Sequence, residues 1–420
     1  MTVLEAAASL EAYTSPGSRL GLERIQTLMH ALGDPQDGLR YIHVAGTNGK
    51  GSTAAMIAAI LSADGYKTGL YTSPALNRFN ERIRIDGREI DEVSLVKIVK
   101  TVTAHAAVMQ DKPTTFELMT AIAFVYFKTM ACDFIVLEVG LGGRMDATNI
   151  IKETEVSVIT QIAKDHTAVL GDTLSKIAGE KAGIIRRQTP VVALEQSEAA
   201  MNVVKKACAL HDAPLTVVSK TAIHQSVWQV DKQCFDYGVF RQLKIPLLGS
   251  FQLINASLAI ETISILKTRG YKITETAVKN GLEMVRWPGR FEQMSQKPMF
   301  VIDGAHNVNG IKAVLDSLKI YFPNGKATFL IGVMADKDYR EMIELILPHA
   351  ERFICVTPEN ERALHSHLLQ KHISSVFDGS VLEASNVESG VEMALAMGWD
   401  TCALGSLYMV GSIRAQFEKT

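Results

Sequence analysis

Between residues 41 and 62 the chain reads as an apolar strand, a loop carrying three glycines and a lysine, and a helix. Tyr41–Ala45 is the strand, Gly46-Thr47-Asn48-Gly49-Lys50-Gly51-Ser52 is the loop, and Met56, Ile57, Ile60 and Leu61 recur at helical spacing. That periodicity predicts a helix over Thr53–Ser62, closed by Asp64-Gly65. A glycine-rich turn with a solvated lysine is the plain reading. The strand-to-helix context favours a phosphate-binding loop, because glycines let backbone N–H groups curl around phosphate oxygens at the positive end of a helix. Lys50 would add a point charge on the terminal phosphates, and the Ser52 hydroxyl would ligate Mg²⁺. The spacing departs from G-x-x-x-x-G-K-[ST]: two residues separate Gly46 from Gly49, and Gly51 stands between Lys50 and Ser52. That points away from ordinary GTPases and kinases.

The alternation continues along the chain. Lys67–Tyr71, Asp133–Val139, Glu155–Thr160 and Pro190–Leu194 read as further strands between helical patterns, which means parallel βαβ units. His224–Leu248 alternates polar and apolar residues around Val227, Trp228 and Val230, suggesting antiparallel strands at the sheet edge. A helix is predicted over Phe251–Thr268, broken later by Arg286-Trp287-Pro288-Gly289-Arg290, and Glu292–Pro298 reads as a linker. Strands then restart at Met299–Ile302, Ala327–Val333, Arg352–Val356 and Thr401–Leu404, with helices at Ile311–Leu318 and Tyr339–Ile346. The expected fold class is α/β: a P-loop-containing, mostly parallel sheet domain over residues 1–296 and a second, smaller Rossmann-like α/β domain over 297–420. A chain of 420 residues has room for both.

Composition narrows the function classes. Lys and Arg number 43 against 45 Asp and Glu, a net charge of −2, so no polyanion-binding surface and no nucleic-acid partner is expected. Hydrophobic residues make up 47%, which excludes intrinsic disorder. The longest apolar run, Phe116–Phe127, is shorter than a membrane span and contains Glu117, so no membrane partner is expected. The first eighteen residues hold Glu5 and Glu11 without Lys or Arg and lack the basic start of a secretory signal, which predicts a cytoplasmic protein. Five cysteines without a C-x-x-C pair fit reduced thiols rather than disulfides or zinc.

Other polar residues cluster at predicted strand ends, which form the ligand crevice of an open parallel sheet. Glu138 ends one strand and suits a metal ligand; an ion pair with Arg144 is the alternative. His166 follows the strand Glu155–Thr160, and a lone His there is more often structural. Lys181 sits in Gly179-Glu180-Lys181-Ala182-Gly183, read as an apolar-flanked turn with a solvated amine. Asp303-Gly304-Ala305-His306-Asn307 ends a strand of the second domain, so two such edges would make a cleft between domains.

Several motifs lie in the same order as in a known family. They are Gly46–Ser52, Thr72-Ser73-Pro74 with Arg78–Ile83, Glu138–Asn149, Asp165-His166-Thr167, Glu180–Gly183, Gly289–Glu292, Asp303–Asn307 and Asp336-Lys337-Asp338. Over nearly the whole chain this pattern resembles the folylpolyglutamate synthase family, which includes bifunctional dihydrofolate synthases and belongs with the Mur ligases. The resemblance implies ATP-dependent addition of L-glutamate to a folate carboxylate by a cytoplasmic monomer. It further implies that Gly46, Thr47, Asn48, Gly49, Lys50 and Gly51 hold the ATP phosphates, and that Ser52 and Glu138 hold one Mg²⁺. A second Mg²⁺ would be held by Ser73, Glu138 and His166, and Lys181 matches a lysine that is carbamylated in this superfamily. By the same match Asn255 would contact adenine, Arg290 phosphate and Asp303 the ribose; His306 and Ser406 would lie near the incoming glutamate, and Arg82 in the segment that binds folate. Ala75 after Ser73-Pro74, Val308 after Asn307 and Lys164 before Asp165 depart from the family's usual residues, and none removes a proposed phosphate or metal ligand. Two rivals stand beside this reading: a Mur ligase acting on a UDP-sugar peptide precursor, and a P-loop ATPase switch.

If Lys50 contacts phosphate from a loop rather than supporting the core, Lys50→Ala abolishes ligase activity and leaves the fold intact. Circular dichroism with a phosphate-release assay checks this, and near wild-type activity would remove the loop assignment.

Overall fold

The computed structural model describes residues 2–13, 19–322 and 325–418. The chain forms two compact units, one of Met1–Ile223 with Asn255–Val285 and the other of His224–Ile254 with Arg286–Thr420.

The first unit is built on an eight-stranded sheet in the order β4-β3-β2-β5-β1-β6-β7-β8. Its strands are β1 (Tyr41–Ala45), β2 (Thr68–Tyr71), β3 (Ile83–Ile85), β4 (Arg88–Glu89), β5 (Phe134–Glu138), β6 (Val156–Ile159), β7 (Val191–Leu194) and β8 (Leu215–Val218). From β2 to β8 the neighbours pair in parallel, and β3 and β4 form an antiparallel hairpin at one edge. β1 is buried along its whole length, as a central parallel strand covered on both faces must be. The helix after it runs Lys50–Ala63, starting three residues before the predicted Thr53 because Gly49, at φ +86°, ends the loop and caps it. Helix Glu275–Met284 packs closely against this helix. Gly281 makes the approach possible: a Cβ there would lie 2.4 Å from Ile60 Cα.

The second unit carries a six-stranded sheet in the order β12-β13-β17-β14-β15-β16. Its strands are β12 (Glu292–Gln296), β13 (Met299–Ile302), β14 (Ala327–Ile331), β15 (Ala350–Cys355), β16 (Ser380–Glu383) and β17 (Thr401–Leu404). All pair in parallel except β12, which is antiparallel to β13. The expected linker Glu292–Pro298 is therefore largely a strand, with Glu292 opposite Ile302. Its polar residues fit an edge strand, where a mixed sequence is tolerated on the half-exposed side.

The stretch 224–248 also differs from expectation. Instead of extending the main sheet it forms a separate three-stranded antiparallel sheet, β11-β10-β9, from β9 (Ile223–Trp228), β10 (Gln233–Tyr237) and β11 (Phe240–Ile245). Within the second unit its Trp228 ring stands edge-on to Tyr321 at 6.4 Å, and buried Gln233 donates to the Leu247 and Gly249 carbonyls. The units thus divide the chain differently from a single cut at 297, since 224–254 and 286–296 go with the C-terminal strands. Helix Phe251–Thr268, predicted with these bounds, starts in one unit and continues in the other. Among the described residues no helix is long and apolar enough to cross a membrane.

Gly281→Ala sets two effects against each other: Ala gains about 1 kcal/mol of helix propensity, while a Cβ against backbone forces the two helices apart, at about 1–3 kcal/mol. The clash is with a Cα and not a flexible side chain. We expect net destabilisation in urea denaturation; a variant as stable as wild type would show that the helices separate freely.

Candidate active site

The phosphate loop is held by the segment that follows β6. Thr47 N and Asn48 N both donate to the Gln161 carbonyl, at 2.6 and 3.3 Å. The Thr47 hydroxyl donates to Ala163 O and accepts from Ala163 N, each at 3.0 Å. Thr160 Oγ1 donates to Asn48 O at 2.8 Å. Glycine is required where these strands of chain touch: a Cβ on Gly46 would lie 1.8 Å from Thr160 Oγ1, and one on Gly49 would lie 2.5 Å from Asn255 Oδ1. Asn255, expected at adenine, thus stands against the turn of the phosphate loop. Lys50 Nζ curls back to donate to Thr47 O at 3.1 Å, and Ser52 is buried in the first turn of the helix.

Sheet order then sets the neighbours. β2, β5, β1 and β6 are adjacent, so the ends of β2 and β5 and the phosphate loop after β1 line one edge. Glu138, the last residue of β5, is opposite Val44 of β1. Ser73 N donates to Glu138 Oε2 at 3.1 Å, which joins two residues 65 positions apart. Arg144, the alternative partner of Glu138, pairs with Glu180 at 3.6 Å. His166 has φ +49°, a left-handed conformation that costs energy outside glycine and recurs at functional sites. Its ring is 45% exposed, with Nε2 3.9 Å from Asp165.

Lys181 departs from the sequence reading. It lies in the last turn of helix Leu174–Ala182, is buried, and donates from Nζ to Gly46 O at 2.8 Å. Burial, with the Lys50 charge nearby, pushes its amine down to about 7.

Among the described residues no three His, Cys, Asp or Glu side chains converge as a metal cage. One buried carboxylate with serine hydroxyls beside a phosphate loop is still a donor set that suits Mg²⁺, which keeps several waters and takes substrate phosphates. It does not suit zinc.

The loop after Glu138, within the motif Glu138–Asn149, contains a network whose bonds the sequence does not show. Asp146 accepts from Leu141 N at 2.7 Å, Thr148 N at 3.0 Å and Thr148 Oγ1 at 2.6 Å. Burial pushes its carboxyl up. Because the Thr148 proton goes to Asp146, His43 Nε2 is assigned as the donor in its 2.8 Å bond to Thr148 Oγ1. Burial holds His43 down at about 3, hence neutral. Arg186 Nη2 ties the far side by donating to Asn149 O, Asn149 Oδ1 and Ile151 O at 2.8, 2.7 and 2.8 Å. No periodicity marks such residues; only the run of Asp, Thr and Asn after a strand hints at a turn of this kind.

Arg82 ends a short 3₁₀ turn, Phe79–Arg82. Its guanidinium lies 5.8 Å from the Phe79 ring, its Nε is buried without a hydrogen-bond partner, and among the described residues it forms no ion pair.

In the second unit, loops 289–291, 303–307 and 405–408 meet at the ends of β13 and β17. Asp303 accepts from Phe291 N and Ala305 N, both at 2.7 Å, and burial raises its carboxyl while Arg290 pulls the other way. A carboxylate has about four lone-pair sites, so two amides do not exhaust it. Gly304 N donates to Gly289 O at 3.0 Å and Gly405 N to Ala305 O at 2.9 Å. Arg290 Nη1 donates to Gly289 O at 3.2 Å. His306 Nδ1 lies 2.8 Å from Gly304 O, a carbonyl that only accepts, so Nδ1 carries a proton. Buried Ser406 accepts from Tyr408 N at 3.1 Å. Arg290, Asp303, His306 and Ser406 thus share one edge of this unit.

Two family models match: the Mur ligase middle domain over residues 44–263, and the Mur ligase, glutamate ligase domain over 289–401. The chain is 37% identical over 416 residues to a folylpolyglutamate synthase of Lacticaseibacillus casei, covering 93% of each chain. It is 35% identical to the dihydrofolate synthase/folylpolyglutamate synthase of Bacillus subtilis, covering 80% of this chain and 81% of the relative. Among solved structures it resembles Mycobacterium tuberculosis folylpolyglutamate synthase complexed with ADP and AMPPCP, at TM-score 0.91 and 31% identity over 99% and 98% of the two chains. It also resembles an FPGS–AMPPCP–folate complex, at TM-score 0.88 and 34% identity over 99% of both.

The buried Lys181 amine gives a pH signature. Between about 7 and the ordinary value of 10.5 the unfolded chain holds a proton that the folded chain does not, so stability from this group rises with pH. In paired urea titrations in CO₂-free buffer, where the amine is unmodified, the stability of wild type relative to Lys181→Met is expected to improve by a few kcal/mol between pH 7 and pH 10. A pH-independent difference would show that the amine titrates as in water.

Proposed function

The chain belongs to the folylpolyglutamate synthase/dihydrofolate synthase family of Mur ligases and is an ATP-dependent ligase joining L-glutamate to a folate carboxylate; we propose that it works through an acyl phosphate. The observation that carries the proposal is the meeting of Ser73 with Glu138 along the same strand-end edge as the phosphate loop. A carboxylate cannot be attacked by an amine until its oxygen is made a leaving group. In the proposed first step a folate carboxylate oxygen attacks the γ-phosphorus of ATP and ADP leaves. The glutamate amine then adds to the acyl carbon, loses a proton, and expels phosphate.

The first step brings two anions together. At about 4 Å and an effective dielectric near 20, each pair of unit charges repels by roughly 4 kcal/mol. Lys50 would leave its Thr47 carbonyl for the terminal phosphates, and Arg290 would add a second cation. Mg²⁺ would be held by Ser52 with Glu138, and by Ser73 with Glu138 and His166, where it supplies charge neutralisation of the phosphates. The unpaired Arg82 supports a contact with the folate, which carries the carboxylates that an arginine fork fits. His306 and Ser406 are placed in this reading beside the incoming glutamate, Ser406 orienting it. Asn255 and Asp303 stand as adenine and ribose contacts.

A carbamate on Lys181 belongs to the same proposal. Capture of CO₂ needs a neutral amine, and burial supplies one near neutral pH. ¹³C-bicarbonate NMR would show the carbamate carbon in wild type and not in Lys181→Met. A cytoplasmic location is part of this reading, supported by the ATP requirement and by five free thiols.

Two measurements test the mechanism. One ¹⁸O of a folate carboxylate labelled at both oxygens should appear in the released phosphate, and loss of that oxygen to water with none in phosphate would overturn the acyl phosphate. Glu138→Gln should lower kcat by about 10²–10³, while a P-loop switch would keep hydrolysing ATP with no folate or glutamate added. Parallel assays with dihydropteroate and tetrahydrofolate decide whether both are accepted.

A further inference from the structure

Beyond the loops just described, the edge of the second unit continues through two more strands. β14 lies between β17 and β15, so its end carries Asp336 between the Ser406 loop and residues 356–364. The segments after β14 and β15 are zipped together: Ala335 N donates to Arg362 O at 2.8 Å, and Leu364 N to Val333 O at 2.9 Å. The Arg362 backbone is held from its other side as well, its N–H donating to Asn360 Oδ1 at 3.0 Å. Its side chain is a different matter. The guanidinium meets Asp336 at 3.6 Å and the Tyr408 hydroxyl at 3.5 Å, the outer limit of a hydrogen bond, and both ionic side chains are more than half exposed. An arginine has five N–H donors, so this one is fixed at its base and unsaturated at its tip.

We propose that Arg362 binds the γ-carboxylate of the incoming glutamate and is the residue that distinguishes glutamate from uncharged amino acids. This deepens the function stated above and rests on it. Glutamate arriving as an amine nucleophile still carries two carboxylates, and the second unit matches a glutamate ligase domain whose span, 289–401, includes Arg362. Arg290 is assigned to the ATP phosphates in this reading, so Arg362 is the guanidinium taken for a carboxylate of glutamate. Tyr408 links the site of the amine to Arg362, since its N–H donates to Ser406 and its hydroxyl meets the guanidinium. β13, which leads to His306, and β14, which leads to Asp336, are two strands apart, roughly 10 Å. An amine held near His306 therefore puts its own α-carboxylate beside it and only its side-chain carboxylate toward Arg362. Asp336 then acts as a placeholder: its weak, exposed pairing keeps the guanidinium oriented and yields to a bidentate carboxylate.

The experiment is steady-state kinetics of the full-length enzyme with ATP, a tetrahydrofolate, and L-glutamate, L-glutamine or L-glutamate α-amide as amine. For Arg362→Ala the glutamate KM is expected to rise about 10- to 100-fold, with kcat, the ATP KM and the folate KM within threefold of wild type. Discrimination of glutamate over glutamine should fall by the same factor. Arg362→Lys, which keeps the charge and loses the fork, should lie between, and it decides the matter if the alanine variant misfolds. An unchanged glutamate KM in either variant, or equal rises for all three substrates, overturns the assignment. Selective loss of discrimination against the α-amide overturns the γ-carboxylate in favour of the α-carboxylate. A wild-type enzyme with no glutamate-dependent turnover would sink the function itself, a result distinct from any of these.

Discussion

A phosphate loop is a shape imposed on backbone that has no regular hydrogen bonds of its own, and here the shape is set by the chain leaving β6. Three hydrogen bonds among Thr47, Asn48, Thr160 and Ala163, with two more to the Gln161 carbonyl, clamp the loop from one side. That clamp exists because β1 and β6 are adjacent and parallel, so that both chains emerge at the same edge at the same height. Gly46 is the consequence: the Thr160 hydroxyl occupies the place of its side chain. The lysines follow from the same packing. Lys181 is buried and donates to Gly46 O, and burial beside Lys50 lowers its affinity for a proton there.

The central parallel strands were legible because they are buried on both faces and so read as continuous apolar runs. Tyr41–Ala45 and Thr401–Leu404 have the predicted bounds for that reason. Helix Lys50–Ala63 was placed three residues late because Gly51 and Ser52 are poor helix formers, and the loop, not propensity, decides where the helix begins. β12 looked like a linker because Glu292, Gln293, Ser295 and Gln296 are polar; as an edge strand it needs backbone pairing with β13 far more than side-chain burial. The small sheet of residues 223–245 was recognised as antiparallel, but which body it joins depends on Gln233 and Trp228, whose partners lie beyond any local pattern.

The site divides along the same line. Residues at strand ends, such as Glu138, could be found from the topology that the alternation implies. How residues hold loops is not legible: Asp146, Thr148 and Asn149 lie in the motif Glu138–Asn149, but their partners His43 and Arg186 stand 105 positions from Thr148 and 37 from Asn149. Lys181 was misjudged for a related reason. Its neighbours in sequence are small and mixed, so nothing local announces that the last turn of its helix faces Gly46.

The second unit shows how polar residues at a ligand edge divide their labour. Asp303, Asn307 and Ser406 direct their side-chain oxygens to backbone amides: Asp303 to Phe291 and Ala305, Asn307 to Gly310, Ser406 to Tyr408. Each of these bonds fixes where a loop starts after its strand, and a buried acceptor so used costs less than an unpaired one, because it has a hydrogen-bond partner. Arg290 and Arg362 instead each keep donor capacity beyond the contacts that hold them. A reaction that must receive a flexible amino acid with two negative groups and one nucleophile gains from this separation. The loops are rigid before the substrate arrives, so the entropy of ordering falls on the substrate alone, and the long side chains that meet it are already fixed at their bases.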